Sequence, residues 1–230
     1  MIEDLNKLLY KQYIRYVLYL IIMIYLIITT SIFNKHGCKR NLDMTHRKDR
    51  YIECIKQVLT LLNNDPNVKP IVVENNGLTE SYLDELGCDI VYTNHNNTKL
   101  RHKGFNELLD IKHVLDKYDV QDEDMVIKLT GRYKLLDSHF IDEVKAHTEY
   151  DAFIKFFNVC TKKFHTNYDD CVLGLIAIRC KYLKDFHYDG KKSPEIEFSL
   201  YVKNIVKNFM EIKELNLQCC FANDLRILVV

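Results

Sequence analysis

The chain has no tryptophan, only 7 glycines and only 3 prolines in 230 residues. No Pro-rich or Ser/Gly-rich tract is present, which excludes a low-complexity linker between domains. Net charge is also missing: 32 Lys and Arg balance 32 Asp and Glu. With no global field to draw in a polyanion, nucleic acid is not an expected partner. The eight cysteines form no CxxC pair. Cys38, Cys54, Cys88, Cys160, Cys171 and Cys180 are scattered and Cys219 and Cys220 are adjacent, so reduced, buried thiols are expected rather than a disulfide framework or a zinc site. GxGxxG and GxxxxGK[ST] are absent too, which leaves neither a dinucleotide fingerprint nor a P-loop. What is there suffices for one sizeable core, since 47% of the residues are hydrophobic.

The longest uncharged run is Tyr16 to Phe33 (YVLYLIIMIYLIITTSIF). As a helix, roughly 18 residues would reach about 27 Å, close to the ~30 Å hydrocarbon core of a bilayer. Tyr10, Tyr13 and Tyr16 gather at one end, as interfacial aromatics do. The run therefore predicts a single membrane anchor within residues 1–40, followed by a folded domain over 41–230. A cleaved signal peptide and a buried core helix are the alternatives, and the run lacks a clear small-x-small cleavage site. Lys7, Lys11 and Arg15 flank one side, against Lys35, Lys39, Arg40, Arg47 and Lys48 on the other. That count slightly favours a cytosolic C-terminal domain on a single-pass membrane protein, with the side left undecided.

Beyond the run, helical and strand patterns alternate. Arg47–Asn63 carries Ile52, Ile55, Val58, Leu59 and Leu62 at helical spacing. Pro70–Gly77 reads as a short apolar strand, Thr79–Leu86 as a short helix with Thr79 as N-cap and Gly87 as its stop, and Asp89–Thr93 as a second strand. Lys103–Tyr118 follows as a longer helix with Leu108, Ile111, Val114 and Leu115 inward. Met125–Leu129 and Asp151–Phe157 read as further strands. This rhythm predicts an α/β fold with a mostly parallel sheet covered by helices on both faces. Ligands in such sheets bind at the carboxyl ends of strands. Those ends carry Glu74 and Asn75, then Thr93, then Lys128, Gly131 and Arg132. Lys103 and Gly104 open the long helix, where a cation adds to the partial positive charge of the terminus and suits a phosphate. Asn and Glu side chains suit a base or a ribose hydroxyl.

The order of these pieces resembles a GT-A-type glycosyltransferase from roughly Arg47 to Phe209. The pieces are Arg50–Ile55, the strand ending Val73-Glu74-Asn75, the helix start Lys103-Gly104-x-Asn106-Glu107, and Ile127–Tyr133. Gly174–Leu183 resembles the strand and helix after the donor site, and Glu195–Tyr201 the helix start that bears a catalytic carboxylate in inverting members. The resemblance implies a Rossmann-related GT-A-like sheet and a nucleotide-sugar donor. It also implies a glycan, glycoprotein or lipid acceptor bearing a hydroxyl, and a general base at Glu195 or Glu197. The chain departs from the family where Asp-x-Asp is usual, having Leu129-Thr-Gly-Arg132 instead. A fixed cation stabilises negative charge on a departing diphosphate as a metal does, and Arg grips phosphate in a fork. The expectation is thus either metal-independent transfer or Mn²⁺ or Mg²⁺ held elsewhere, with Asp169 and Asp170 the candidates. His139, His165 and His187 are further candidates for the base. A nucleotidyltransferase lacks support because no Gly-rich N-terminal loop is present. A catalytically inactive binding module tethered to a membrane is the remaining alternative.

Overall fold

The computed structural model of the chain describes residues 22–32, 44–77, 82–97, 103–157, 170–221 and 226–230. Residues 16–21 and 33 of the apolar run, the expected cap Thr79, His165 and Asp169 lie outside these.

The strands are β1 (Ile24–Thr30), β2 (Val68–Glu74), β3 (Asp89–Tyr92), β4 (Met125–Thr130), β5 (Lys134–Leu135), β6 (Ala152–Ile154), β7 (Leu175–Arg179), β8 (Phe209–Glu211), β9 (Leu217–Cys220) and β10 (Ile227–Val229). The helices are α1 (Met44–Leu62), α2 (Lys103–Lys117), α3 (His139–Ala146), α4 (Cys180–Asp185) and α5 (Pro194–Ile205). Seven strands make one sheet in the order β3-β2-β1-β4-β7-β6-β8, and β10-β9-β5 make a small second sheet. From β3 to β4 every pairing is parallel; β7 runs antiparallel to both β4 and β6, and β8 is parallel to β6. The sheet is thus mixed, with its parallel half on the β1 side.

The expected spanning helix is corrected here. Ile24–Thr30 is a strand at the middle of the parallel half, in register with β2 on one side and β4 on the other. Ile24, Leu26 and Ile28 enter one core, while Ile27 enters the core on the opposite face. A strand buried on both faces needs apolar side chains at every position, so it loses the polar alternation that marks a half-exposed strand. An apolar run of this kind is ambiguous by periodicity alone. Among the described residues no helix is long and apolar enough to cross a membrane. The domain boundary drawn at residue 40 therefore cuts through the sheet, and membrane attachment loses the observation on which it rested.

The two cores are laid down by the two sides of each central strand. On one face Met125, Ile127 and Leu129 of β4 meet Tyr51, Ile55, Val58 and Leu62 of α1. On the other, Val126 joins Leu108, Ile111 and Val114 of α2 and Phe198 and Val202 of α5. The buried stripe of α1 runs 51, 54, 55, 58 and 62, so Tyr51 and Cys54 belong to it while Ile52 and Leu59 sit at its margin. Of the expected helix at Thr79–Leu86, a 3₁₀ turn at Asp84–Leu86 is described, closed by Gly87 at φ 74°. Glycine adopts that left-handed conformation without strain.

Candidate functional site

At the carboxyl ends of β1, β2 and β4 lies a partly open cleft with a cavity volume of about 110 Å³. Its floor is Thr29-Thr30-Ser31, the end of β1. Arg47 and Tyr51 come from α1, Asn75 and Asn96 from the ends of β2 and β3, Lys103, Asn106, Glu107 and Asp110 from α2, and Arg132 from the turn after β4.

The floor is held from the α1 side. Arg47 donates through Nε and Nη2 to the Ser31 carbonyl at 3.0 and 2.8 Å, and Nη2 also reaches Tyr51 Oη at 3.2 Å. Ser31 N donates to the same Tyr51 hydroxyl at 3.3 Å. The turn after β4 packs on β1 because residue 131 is glycine. A Cβ there would lie 2.9 Å from Thr30 Cγ2, 3.0 Å from the Thr29 carbonyl and 3.1 Å from the Tyr51 ring. The tight turn delivers Arg132 to the cleft wall. Its Nε donates to the Cys220 carbonyl at 2.7 Å, and its own carbonyl accepts from Arg50 Nε at 3.1 Å. Burial works against the Arg132 charge, but Tyr51, Tyr133 and Glu107 outweigh it and raise the guanidinium pKa.

Two carboxylates line the cleft, in different surroundings. Glu107 Oε1 accepts from Thr29 Oγ1 at 2.5 Å and pairs with Lys128 Nζ at 3.0 Å. Burial opposes its ionisation, yet Lys128, Thr29 and Arg132 together hold its pKa below the usual value. Asp110 is 1% exposed and is a hub. It accepts from Asn75 Nδ2 at 3.0 Å and Thr93 Oγ1 at 2.5 Å, and His95 Nδ1 lies at 2.7 Å. Burial pushes its pKa up to about 6 against the pull of those three partners.

The strand-end residues singled out from sequence are thus brought to one end of the sheet, but in different roles. Arg132 and Lys103 line the cleft, as does Asn75. Lys128 is 3% exposed, and its three donors go to Glu107, Thr130 Oγ1 and the Leu173 carbonyl. It is a buried ion-pair partner and not a free cation. Glu74 is also turned inward: it accepts from Thr30 Oγ1 at 2.9 Å, Ile32 N at 3.3 Å, Tyr82 Oη at 2.8 Å and the Asn76 amide. With those acceptor sites filled it staples the ends of β1 and β2. Thr93 is spent on Asp110. Gly104 serves close packing, since a Cβ would overlap the Pro194 ring, and so brings the start of α5 beside the start of α2.

At that start the two glutamates separate. Glu197 accepts from Asp189 N at 3.0 Å and Lys192 N at 2.8 Å, which commits it to the preceding loop. Glu195 stands in the first turn beside Pro194, its carbonyl accepting from Cys171 Sγ at 3.2 Å. Asp170 accepts from Cys171 N at 2.8 Å; burial first, and then the charge of Glu195, push its pKa up to about 6. His139 is exposed on α3 and pairs loosely with Glu143 at 3.9 Å, while His187 is exposed just after α4; neither lines the cleft. Sequence reading passed over Arg47, the Thr29-Thr30-Ser31 floor and Asp110. The last left a trace, an Asp on the apolar stripe of a helix between Leu108 and Ile111.

A divalent cation at the turn after β4 finds no oxygen-rich set, because Thr130, Gly131 and Arg132 supply a hydroxyl and a cation. Among the described residues no three His, Cys, Asp or Glu side chains cluster as metal ligands. The residues at that turn do not fit the metal of the Asp-x-Asp family members.

Strand order, mixed sheet and strand-end cleft fit a GT-A/nucleotidyltransferase-like fold. Among solved structures, a candidate nucleotide-diphospho-sugar transferase from Desulfovibrio desulfuricans G20 superposes with a TM-score of 0.52 at 12% identity, over 82% of this chain and 79% of that one. 4-Diphosphocytidyl-2C-methyl-D-erythritol synthase superposes at 0.51 with 13% identity, over 85% and 90%. S. aureus TarS 1-349 superposes at 0.50 with 12% identity; there the match covers 83% of this chain but 58% of the other. At such identities the likeness defines the fold. No protein-family model and no curated protein matches the sequence.

Proposed function

We propose that the chain is a glycosyltransferase that moves a sugar from a nucleotide-sugar donor to a hydroxyl of a glycan, glycoprotein or lipid acceptor. The observation that carries this reading is the convergence of Arg47, Lys103 and Arg132, from three different elements, on one strand-end cleft. A diphosphate seated there meets fixed cations and the N-terminus of α2, whose partial positive charge favours an anion. In the transfer, the acceptor hydroxyl gives its proton to Glu195 as its oxygen bonds to the anomeric carbon. The bond from that carbon to the diphosphate breaks, and the diphosphate leaves with the electron pair. Arg132 and Lys103 stabilise the charge that builds on it, and no step is assigned to Mn²⁺ or Mg²⁺. Donor groups aimed at developing charge in a site screened from water are worth far more than in bulk solvent. Glu195 is preferred to Glu197 as base because the latter already accepts two backbone N–H groups.

The test is a screen of the purified protein against nucleotide sugars, read by thermal shift and by slow donor hydrolysis, with Arg132→Ala alongside. One charge-assisted contact to phosphate is worth about 1.5–3 kcal/mol, or roughly tenfold to a hundredfold in affinity. The variant should lose about that much nucleoside-diphosphate affinity while the domain stays folded, with a somewhat lower melting temperature because the Cys220 carbonyl loses its donor. Equal binding by a folded Arg132→Ala protein overturns the reading. Donor binding with no turnover on any acceptor would favour a binding module instead.

A further inference from the structure

The carboxylate of Glu107 does not belong in a site that only holds phosphates. It lines the cleft beside Arg132, and its lowered pKa keeps it ionised. One oxygen, Oε1, is tied beneath the cleft by Thr29 and Lys128. The other, Oε2, has no hydrogen-bond or ion-pair partner among the described residues, although the side chain is 27% exposed. An ionised carboxylate with an open acceptor repels a phosphate and attracts a neutral hydrogen-bond donor. Its position on the second turn of α2, four residues after Lys103, puts this acceptor next to the region proposed for the diphosphate.

We infer that Glu107 is a specificity-determining residue that accepts a hydrogen bond from a hydroxyl of the bound nucleotide sugar. This deepens the proposed function and rests on it. The acidic residue suggested for a ribose hydroxyl by sequence, Glu74, has its carboxylate filled by protein donors, and Glu107 has the acceptor that Glu74 lacks. The Lys128 pair acts as a positioning element. It neutralises the buried charge from below and holds the glutamate in one rotamer, so less side-chain freedom is lost when a ligand binds. The hydroxyl has two sources, the ribose of the nucleotide or the transferred sugar.

The experiment uses UDP, GDP, ADP and CDP, their 2′-deoxy counterparts, and the corresponding glucose diphosphonucleosides, with dissociation constants from calorimetry. Variants are Glu107→Gln, and Glu107→Gln with Lys128→Met, the second to avoid a buried lysine left without its counter-charge. A hydrogen bond to a charged acceptor predicts roughly tenfold or greater preference of wild type for the hydroxyl-bearing ligand. Both variants should reduce that preference to less than about threefold. If ribose is the source, the lost preference is ribo over deoxy; if the sugar is, it is nucleotide sugar over nucleoside diphosphate. Identical preferences in wild type and both folded variants, in both arms, overturn the assignment. Failure of all these probes to bind the wild type overturns the assignment together with the glycosyltransferase reading, whereas Arg132-dependent binding with unchanged preferences overturns Glu107 alone.

Discussion

Ile28→Ala separates a central strand from a membrane anchor. Ile28 is fully buried and lies in register between Val72 of β2 and Leu129 of β4, inside the core that α1 closes. Truncating a fully buried isoleucine to alanine removes its transfer energy and leaves a cavity, at a cost of about 2–5 kcal/mol. In a domain of this size 1 kcal/mol shifts the midpoint by about 2–4 °C, so the variant should melt about 4–20 °C lower. Far-UV circular dichroism is the suitable probe, because the chain has no tryptophan to report by fluorescence. Urea unfolding should show a lower midpoint with the same slope, as the surface exposed on unfolding is unchanged. Ile227→Ala is the control: Ile227 is 46% exposed on β10, and such surface changes stay within about 0.5 kcal/mol. An Ile28→Ala protein as stable as the control would refute the strand assignment, since a side chain in lipid contributes nothing to the packing of the soluble core.

The remaining expectations concern the carboxylates near α5. Glu195→Gln should lower turnover by about 10²–10⁴-fold with donor affinity retained, the range for loss of a general base; normal turnover would move the base elsewhere. Glu197→Ala should instead cost about 1–2 kcal/mol of stability, from two lost hydrogen bonds to the 189–192 loop, and leave the chemical step in place. Asp170 has a folded-state pKa raised from 3.8 to about 6, so the folded protein binds its proton more tightly than the unfolded chain. Its contribution is favourable below pH 3.8 and is lost as pH rises through about 6. Urea midpoints from pH 4 to 7 should therefore fall more steeply in the wild type than in Asp170→Asn, and parallel curves would contradict the raised value.

The alternation of elements, and with it the α/β class, was legible because it rests on local chemistry. The inward stripe of Leu108, Ile111, Val114 and Leu115, the apolar strand at Met125–Leu129, and the helix start at Glu195–Tyr201 are each decided within a few residues. The strand-end logic likewise brought Arg132, Lys103 and Asn75 to one cleft without coordinates, because parallel strands deliver their carboxyl ends to the same edge. What could not be read was decided by neighbours distant in sequence. Ile24–Thr30 is a strand because β2 and β4 flank it and two helical layers cover it, and a run apolar on both faces carries no record of which solvent, protein or lipid, it was made for. Lys128 and Glu74 carry charges suited to a ligand, but each met partners that tertiary folding supplied, Glu107 and Leu173 for one and Thr30 and Ile32, with nearby Tyr82, for the other. Charge is a property of the residue; whether it is available to a ligand depends on what the fold sets within 3 Å of it.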